Sequence, residues 1–328
     1  MPKFKNILAF SLRIVISAVL LFLLFKFNKI DFKVLINDIR SADRLFLVLG
    51  FLTLPLTYLL GFWRWQMLLR AAQINIPLKN LISSFCGGLF FSIFLPSTIG
   101  GDLVRTADLA AHTQKTKQVI ATVFLDRLSG YIGLVFVVLP AIFLGNSLIA
   151  DKVVYLSIAV IVLLLAAILL LLFNNYIYER ISKFLSLPGA SRFRQVIRDM
   201  HREIHDFGDH KKMIIANIGL SFIIQLIYPL GVYFTGLSLG VNINIFYFLI
   251  FIPIISAVTL LPIALGGLGL REGLYVVYFA KAGVLKQLAL AMSLLSFSFI
   301  VFSGAIGGII YVLTVRHRRL QHNQSPAV

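Results

Sequence analysis

The sequence is poor in charged residues and almost free of cysteine. Charged side chains make up 13% of the 328 residues, against 59% hydrophobic ones. That leaves too few polar groups to coat a soluble globule of this size. The single cysteine, Cys86, excludes an intramolecular disulfide and is interpreted as a small packing residue. The chain is therefore predicted to be an integral membrane protein, in line with a mean hydropathy of +0.94.

Acidic residues are also scarce, with 13 Asp and Glu against 30 Lys and Arg, which gives a net charge of +17. The basic residues fall between apolar runs, and the sequence has no nucleic-acid-reading motif, so membrane topology and anionic lipid explain the charge better than nucleic acid does. No cofactor and no metal ion are predicted.

Apolar windows of about 20 residues, the length that crosses the hydrocarbon core, predict six transmembrane helices. The first is too long for a signal-peptide core and has no small-residue cleavage site, so it is expected to be retained. The six windows are 7–27, 45–69, 118–144, 153–173, 213–239 and 286–314.

Two further apolar segments each run into a related motif, LPSTIGGDLVR at 95–105 and LPIALGGLGLR at 261–271. Pro96 and Pro262, with the glycine pairs, break the backbone hydrogen-bond ladder, which at membrane depth is tolerated only inside protein or beside a wet cavity. The stretches that follow are too short to span. We therefore predict an all-α polytopic membrane protein with about six transmembrane helices and two Pro-Gly-Gly re-entrant helical hairpins. The hairpin limbs are expected at 81–95 with 101–112 and at 245–261 with 268–282.

The distribution of Lys and Arg predicts a multi-pass protein of the cell membrane with both termini in the cytoplasm. The weak point of this topology is residues 28–44, because they place positive charges on the outer side of the membrane. We interpret this segment as an interfacial amphipathic helix. The long basic insertion 174–212 is either a solvated cytoplasmic linker or, broken at Pro188-Gly189, two amphipathic helices on an anionic leaflet.

The insertion divides a single membrane domain, 1–328, into two repeats, 45–144 and 213–314. Each repeat contains a helix, a Pro-Gly-Gly hairpin and a helix, and the predicted topology gives them opposite orientations. This is the inverted-repeat plan of many secondary transporters.

Each hairpin tip has the chemistry of an anion site. Glycine amides and the N-terminus of the following helix attract negative charge, and an arginine one turn further on can hold a phosphate at two points. The alternative is structural, with glycines for close packing and arginines that lock the hairpins through buried acids. The candidate lipid-phosphate ligands are Gly100, Gly101, Arg105, Gly266, Gly267 and Arg271.

Four more charged residues are predicted to act as counter-ions or as a proton relay. Asp102 and Glu272 can each reach the neighbouring arginine or a helix N-terminus. Asp126 and Arg127 lie well inside a span and point to different faces, so each needs another partner, Arg105 being a candidate for Asp126. A structural ion pair, a gate and a proton relay all remain open for this pair.

Two other groups have ordinary explanations. Asp108 and His112 share a helix face and could both bind a metal ion, but two ligands are weak evidence for a metal site. The favoured interpretation is that the two residues lie at the interfacial end of a helix. Trp63, Arg64 and Trp65 are interpreted as an interfacial anchor.

The segments FFSIFLPSTIGGDLVR, FLDRLSG and LLPIALGGLGLREG resemble the lysylphosphatidylglycerol synthase transmembrane-region family, also called flippase-like domain proteins. The resemblance spans nearly the whole chain and implies the membrane half of the multiple peptide resistance factors, without their soluble synthase domain. The matching positions include Asp126 and Arg127, where the family commonly has Glu-Arg. The others are Pro96, Gly100, Gly101, Asp102 and Arg105 in the first motif, and Pro262, Gly266, Gly267, Arg271, Glu272 and Gly273 in the last.

The expected function is that of a lipid translocase that moves an anionic, phosphate-bearing lipid between leaflets. The resemblance implies a phospholipid, an aminoacylated phosphatidylglycerol or a polyprenyl-phosphate lipid. No ATP-binding motif is present, so net transport must follow a gradient or an ion, with Asp126 or Glu272 as candidate proton carriers. The alternative is a membrane-embedded lipid-modifying transferase, or an accessory subunit of a separate lysylphosphatidylglycerol synthase or glycosyltransferase.

Overall fold

The structure is a computed structural model that describes most of the chain as helix. The described residues are 15–20, 22–27, 31–95, 99–113, 115–145, 151–174, 176–177, 179–180, 198, 202, 211–261, 264 and 266–324, with backbone only for 99 and 316–324. These ranges contain no strand, so the all-α prediction is confirmed. The expected helices of the 174–212 insertion, and Pro96 and Pro262, lie outside the described residues.

Five helices are long and apolar enough to cross a bilayer, and they match five of the six predicted windows. They are α3 (Arg44–Ala71), α6 (Thr116–Leu144), α7 (Lys152–Phe173), α8 (Lys211–Ser238) and α11 (Lys286–Gln324), the last apolar as far as Val315. For the sixth window the described part is the 13-residue helix α1 (Val15–Phe27), of which residue 21 is not described. A polytopic membrane protein is therefore the class that the fold supports.

A short helix, α2 (Phe32–Arg40), occupies the segment predicted to lie at the interface. Asp31 caps it by accepting the Lys33 amide at 2.8 Å, while Leu35 is buried against the core. Asp38 accepts the Gln287 amide at 2.6 Å. These aspartates therefore serve as a cap and a tether, which explains why acidic residues occur in this otherwise basic segment.

Each predicted hairpin is a pair of shorter helices: α4 (Leu78–Phe94) with α5 (Ile99–Thr113), and α9 (Ile245–Val258) with α10 (Leu270–Lys281). Close approaches in the first pair join Gly88 to Gly101 and Leu95 to Gly100, so α4 and α5 run antiparallel. In the second pair Thr259 lies beside Gly267, and Phe251 stacks edge-on against Phe279.

The first helices of the two repeats, α3 and α8, cross antiparallel. A Cβ atom placed on Gly231 would lie 3.0 Å from Thr53 Cβ, while Asn217 Nδ2 donates to the Arg64 carbonyl at 3.0 Å. Two pairs of packings match: α4 packs against α11 as α9 packs against α6, and α5 packs against α6 as α10 packs against α11. This is the pattern expected of two repeats related by a two-fold axis across the bundle.

Loop contacts sort the helix ends into two groups. At one end, named here the Gln73 end, Lys115 Nζ donates to the Gln73 carbonyl at 3.1 Å. At the other, the Lys281 end, Lys281 donates to Asp151, and this ammonium group holds the pKa of the Asp151 carboxyl below its ordinary value. Asp43 N also donates to the Ser238 carbonyl at this end.

The two hairpins therefore open toward opposite ends of the bundle. The α4–α5 hairpin has its open end at the Gln73 end, and the α9–α10 hairpin at the Lys281 end. Their tips meet inside, because a Cβ atom on Gly266 would lie 3.0 Å from the Ile93 carbonyl oxygen. Whether the hairpins are re-entrant in a bilayer, and whether the repeats have the bounds given above, stay predictions.

Candidate lipid-phosphate site

A cavity of about 380 Å³ lies between the hairpins and is walled by α3, α6, α8 and α11. Arg105 and Arg271, one from each hairpin, both line it. Because the two motifs are far apart in sequence, only the meeting of the hairpin tips brings these arginines to a shared space. The charged residues of the wall are Arg64, Asp102, Arg105, Asp126, Arg127 and Arg271.

The first motif holds Arg105 between two carboxylates. Arg105 Nε lies 3.0 Å from Asp102 Oδ1, one helical turn away, and Arg105 Nη2 lies 2.9 Å from Asp126 Oδ2 on α6. The pairing expected between Asp126 and Arg105 is thus present. Trp65 covers the guanidinium face, with its ring centre 4.6 Å from Cζ. A stacked guanidinium keeps its N–H edges for in-plane acceptors such as carboxylate or phosphate.

Two more arginines complete the first cluster. Arg64 Nε donates to Asp126 Oδ1 at 2.8 Å, and Arg127 Nε donates to Asp102 Oδ2 at 2.6 Å. Asp126 and Asp102 therefore each bridge two arginines. Asp126 is almost fully buried, at 4% exposure, and a carboxylate in that position needs such compensation.

The interpretation of residues 63–65 as an interfacial anchor is wrong for two of the three. Trp65 is 0% exposed and lies under Arg105, and Arg64 belongs to the ion-pair cluster, whereas Trp63 is half-exposed. The signal that could have found Arg64 is its position inside an apolar span, where an ionisable residue is a site candidate by default.

The second motif builds a smaller cluster. Arg271 pairs with Glu272, which is 0% exposed, and Arg271 Nε donates to Ser293 Oγ on α11 at 3.3 Å. Glu272 Oε2 accepts the Gly269 amide at 2.6 Å and so caps the N-terminus of α10 with negative charge. Phe297 covers the Arg271 guanidinium, 4.2 Å from Cζ to the ring centre. Both motif arginines thus have a carboxylate partner and an aromatic cover.

The four motif glycines do not form matching pairs. Gly100 and Gly101 lie in the first turn of α5, where a Cβ on Gly101 would come within 2.1 Å of the Gly88 carbonyl oxygen, so Gly101 permits close packing of the hairpin limbs. Neither residue is among those that line the cavity. Gly266 and Gly267 instead have φ of +54° and +77°, a left-handed turn that favours glycine, and Gly266 lines the cavity.

The clusters lie at different depths. Asp126 is about 15 Å along α6 from its beginning at the Gln73 end, at a rise of about 1.5 Å per residue. Ser293 is about 10 Å along α11 from its beginning at the Lys281 end. The cavity therefore has one arginine cluster toward each end of the bundle.

Asp108 and His112 are not joined to the cavity. Ser84 donates to the Asp108 carboxylate, and His112 Nδ1 lies 2.6 Å from the Asp108 carbonyl oxygen, which fits the helix-end interpretation. Within the described residues, no group of three or more His, Cys, Asp or Glu side chains could hold a metal ion.

Five helices have membrane-spanning length, and four of them wall an arginine-rich cavity, which defines a polytopic α-helical membrane protein. The chain belongs to the family described as the lysylphosphatidylglycerol synthase TM region, whose model matches residues 10–308. It is 26% identical over 310 residues to a UPF0104 membrane protein of Pyrococcus horikoshii, covering 87% of this chain and 91% of that one. A UPF0104 membrane protein of Methanothermobacter thermautotrophicus is 24% identical over 285 residues, covering 78% and 81%. No solved structure matches the chain significantly.

Proposed function

We propose that this protein is a lipid translocase that moves a phosphate-bearing lipid between the leaflets of the cell membrane. The observation that carries the proposal is the shared cavity, which is lined by arginines from two opposed hairpins inside a membrane protein. Charged residues at membrane depth are costly and usually mark a substrate path. Helical proteins whose broken segments meet between repeats place their substrate sites there.

Two clusters at different depths suit a stepwise passage. A lipid phosphate entering from the Gln73 end meets Arg105 first, and one entering from the Lys281 end meets Arg271 first. At each position the phosphate replaces part of the carboxylate contact already present, so an empty site never leaves an arginine without a partner. The acyl or polyprenyl tail stays in hydrocarbon, because only the polar headgroup needs the cavity.

The test is reconstitution of the purified full-length chain into liposomes with fluorescent phosphatidylglycerol, followed by quenching with a membrane-impermeant reductant. We expect the inner-leaflet fraction to become accessible, because the cavity gives the headgroup a polar path. Arg105→Met should abolish this, whereas Arg40→Met, on the exposed face of α2, should retain it. Full activity of Arg105→Met would contradict the assignment, and headgroup turnover by the protein alone would favour the membrane-embedded transferase.

The proposed topology places both termini and the Gln73 end in the cytoplasm. Single cysteines at positions 115 and 281, in a Cys86→Ser background, should react with a membrane-impermeant maleimide from opposite faces of the membrane, position 115 from inside. Labelling of both positions from the same face would contradict the topology and the opposed orientation of the hairpins.

A further inference from the structure

The two motif arginines differ in what their carboxylate partners keep when a phosphate binds. At the first cluster, Arg105 pairs with Asp102 and Asp126, and each of these carboxylates also has a second arginine within 2.8 Å. A phosphate that takes Arg105 therefore leaves neither aspartate without a positive partner. Both aspartates stay ionised through the exchange, so Asp126 is not suited to carry a proton.

The second cluster has no such reserve. Glu272 is 0% exposed, and within the described residues Arg271 is the one cation that pairs with it. Its other contacts are neutral: Oε2 accepts the Gly269 amide at 2.6 Å, and Oε1 lies 3.4 Å from Ser293 Oγ. A phosphate bound to Arg271 puts two anions beside one guanidinium. A buried carboxylate that loses its positive partner takes up a proton, because the neutral acid costs far less to bury.

No other cation in the described part of the chain is placed to replace Arg271. The three remaining cavity arginines are paired with Asp102 and Asp126, and α9 has no charged residue. Lys286 is the nearest charged residue of α11, about 10 Å along the helix from Ser293. The other titratable groups on the helices around Glu272 are exposed Lys26 on α1, Tyr228 with the Gln73-end residues Lys211 and Lys212 on α8, Tyr247 on α9, and Tyr275 and Lys281 on α10. The lysines lie near helix ends and the tyrosine hydroxyls are neutral, so the compensation of Glu272 depends on Arg271.

We infer that the cavity binds a lipid phosphate together with one proton, which Glu272 takes up when the phosphate binds Arg271. This inference rests on the proposed function and deepens it, because it makes the protein a symporter of lipid and proton. The proton comes from water in the cavity and joins Oε1, which then donates to Ser293 Oγ, while no bond of the lipid changes. When the phosphate passes to Arg105, Arg271 returns to Glu272 and the proton is released into the cavity. Lipid and proton therefore leave by the same opening.

The binding test is isothermal titration calorimetry of the detergent-solubilised full chain with phosphatidylglycerol, in buffers that differ in their enthalpy of ionisation. A phosphodiester takes up no proton near neutral pH, so any proton taken up on binding goes to the protein. We expect about one proton per lipid for the unaltered protein and for the matched control Glu179→Gln, an exposed position, and none for Glu272→Gln, whose amide mimics the protonated acid. Absence of proton uptake by the unaltered protein would overturn the inference, and so would uptake by Glu272→Gln.

The pH dependence of binding by the unaltered protein is a readout that needs no variant. The complex holds one proton more than the free protein, so the affinity should fall as the pH rises, by up to about tenfold for each unit of pH. An affinity that stays constant or increases from about pH 6 to about pH 8 would contradict the uptake of a proton.

The transport test is the liposome assay with a pH difference of about one unit across the membrane. A singly charged lipid and one proton move as a neutral pair, so fluorescent phosphatidylglycerol should accumulate about tenfold in the leaflet on the alkaline side. Glu272→Gln should give no accumulation, and an even distribution with active unaltered protein would overturn the symport. Proton uptake on binding without translocation supports the proton site and refutes the translocase, whereas translocation without proton uptake overturns this inference and leaves the translocase standing.

Discussion

The two motif arginines should differ sharply in what their removal costs. Replacing Arg271 with Met leaves Glu272 at 0% exposure, and among the described residues only the Gly269 amide at 2.6 Å and Ser293 Oγ at 3.4 Å then compensate its charge. Removing one partner of a buried ion pair costs about 3–5 kcal/mol, because the other charge stays buried. We expect Arg271→Met to lower the free energy of unfolding by that amount.

Arg105→Met should cost less, although Arg105 is as well buried. Its two carboxylate partners each keep another arginine, Asp126 with Arg64 at 2.8 Å and Asp102 with Arg127 at 2.6 Å. The substitution removes the charge-assisted contacts of Arg105 and its packing on Trp65. A hydrogen bond to a charged group contributes about 1.5–3 kcal/mol to stability. The expected loss for Arg105→Met is therefore about 2 kcal/mol.

The double variant Arg271→Met/Glu272→Gln separates the buried charge from the missing side chain. Gln keeps an oxygen that can accept the Gly269 amide, and replacing both members of a buried pair is often close to neutral. We expect it to recover most of the stability but to be inactive in translocation, because the cavity still lacks the Arg271 guanidinium.

The measurement is reversible unfolding in mixed micelles, with Arg40→Met as the exposed control, which should stay within about 0.5 kcal/mol of the unaltered protein. The reasoning is refuted if Arg271→Met is no less stable than Arg105→Met, or if the double variant is as unstable as Arg271→Met alone.

Two predictions concern the architecture around the cavity. Gly101→Ala should destabilise the protein by about 1–3 kcal/mol, because the new Cβ would lie 2.1 Å from a backbone oxygen of α4. Gly219→Ala on α8, where the new Cβ would meet no atom within 4 Å apart from its own helix backbone, is the matched control, and equal stabilities of the two in thermal unfolding would contradict the hairpin packing. Thr53→Cys/Gly231→Cys should form a disulfide under mild oxidation, since their Cβ positions are 3.0 Å apart and need only relax to about 3.8 Å. Thr53→Cys/Gly219→Cys should not crosslink, and failure of the first pair on a gel-shift assay would exclude the antiparallel crossing of α3 and α8.

Much of the helical framework could be predicted from the sequence, because hydropathy over a window the thickness of a bilayer is a local property. The structure has five long apolar helices within about three residues of the predicted windows, apart from the extension of α11 beyond the last. All four limbs of the two hairpins begin and end within about three residues of the predicted bounds. The amphipathic helix α2 follows equally from its own residues.

The roles of individual side chains in the cavity were harder to predict. Arg64 looked like an interfacial anchor beside two tryptophans, because the residue types at the end of a span are the same for an anchor and for a buried cation. The glycine pairs looked equivalent in sequence, yet one pair lies in a helix and the other in a left-handed turn. Local sequence does not say which neighbouring helix approaches a glycine, so packing and turn glycines are hard to tell apart.

The sequence by itself determined that this chain is an integral membrane protein and that two related broken segments each carry an arginine. It also determined the approximate bounds of the helices. Those properties depend on solvent, on backbone hydrogen bonding and on nearest neighbours along the chain. Only the tertiary structure decided that the two hairpin tips meet, that Asp126 bridges Arg64 and Arg105, and that both motif arginines line one cavity. These contacts join residues far apart in sequence, and they form because every buried charge must find a partner among whichever helices pack around it.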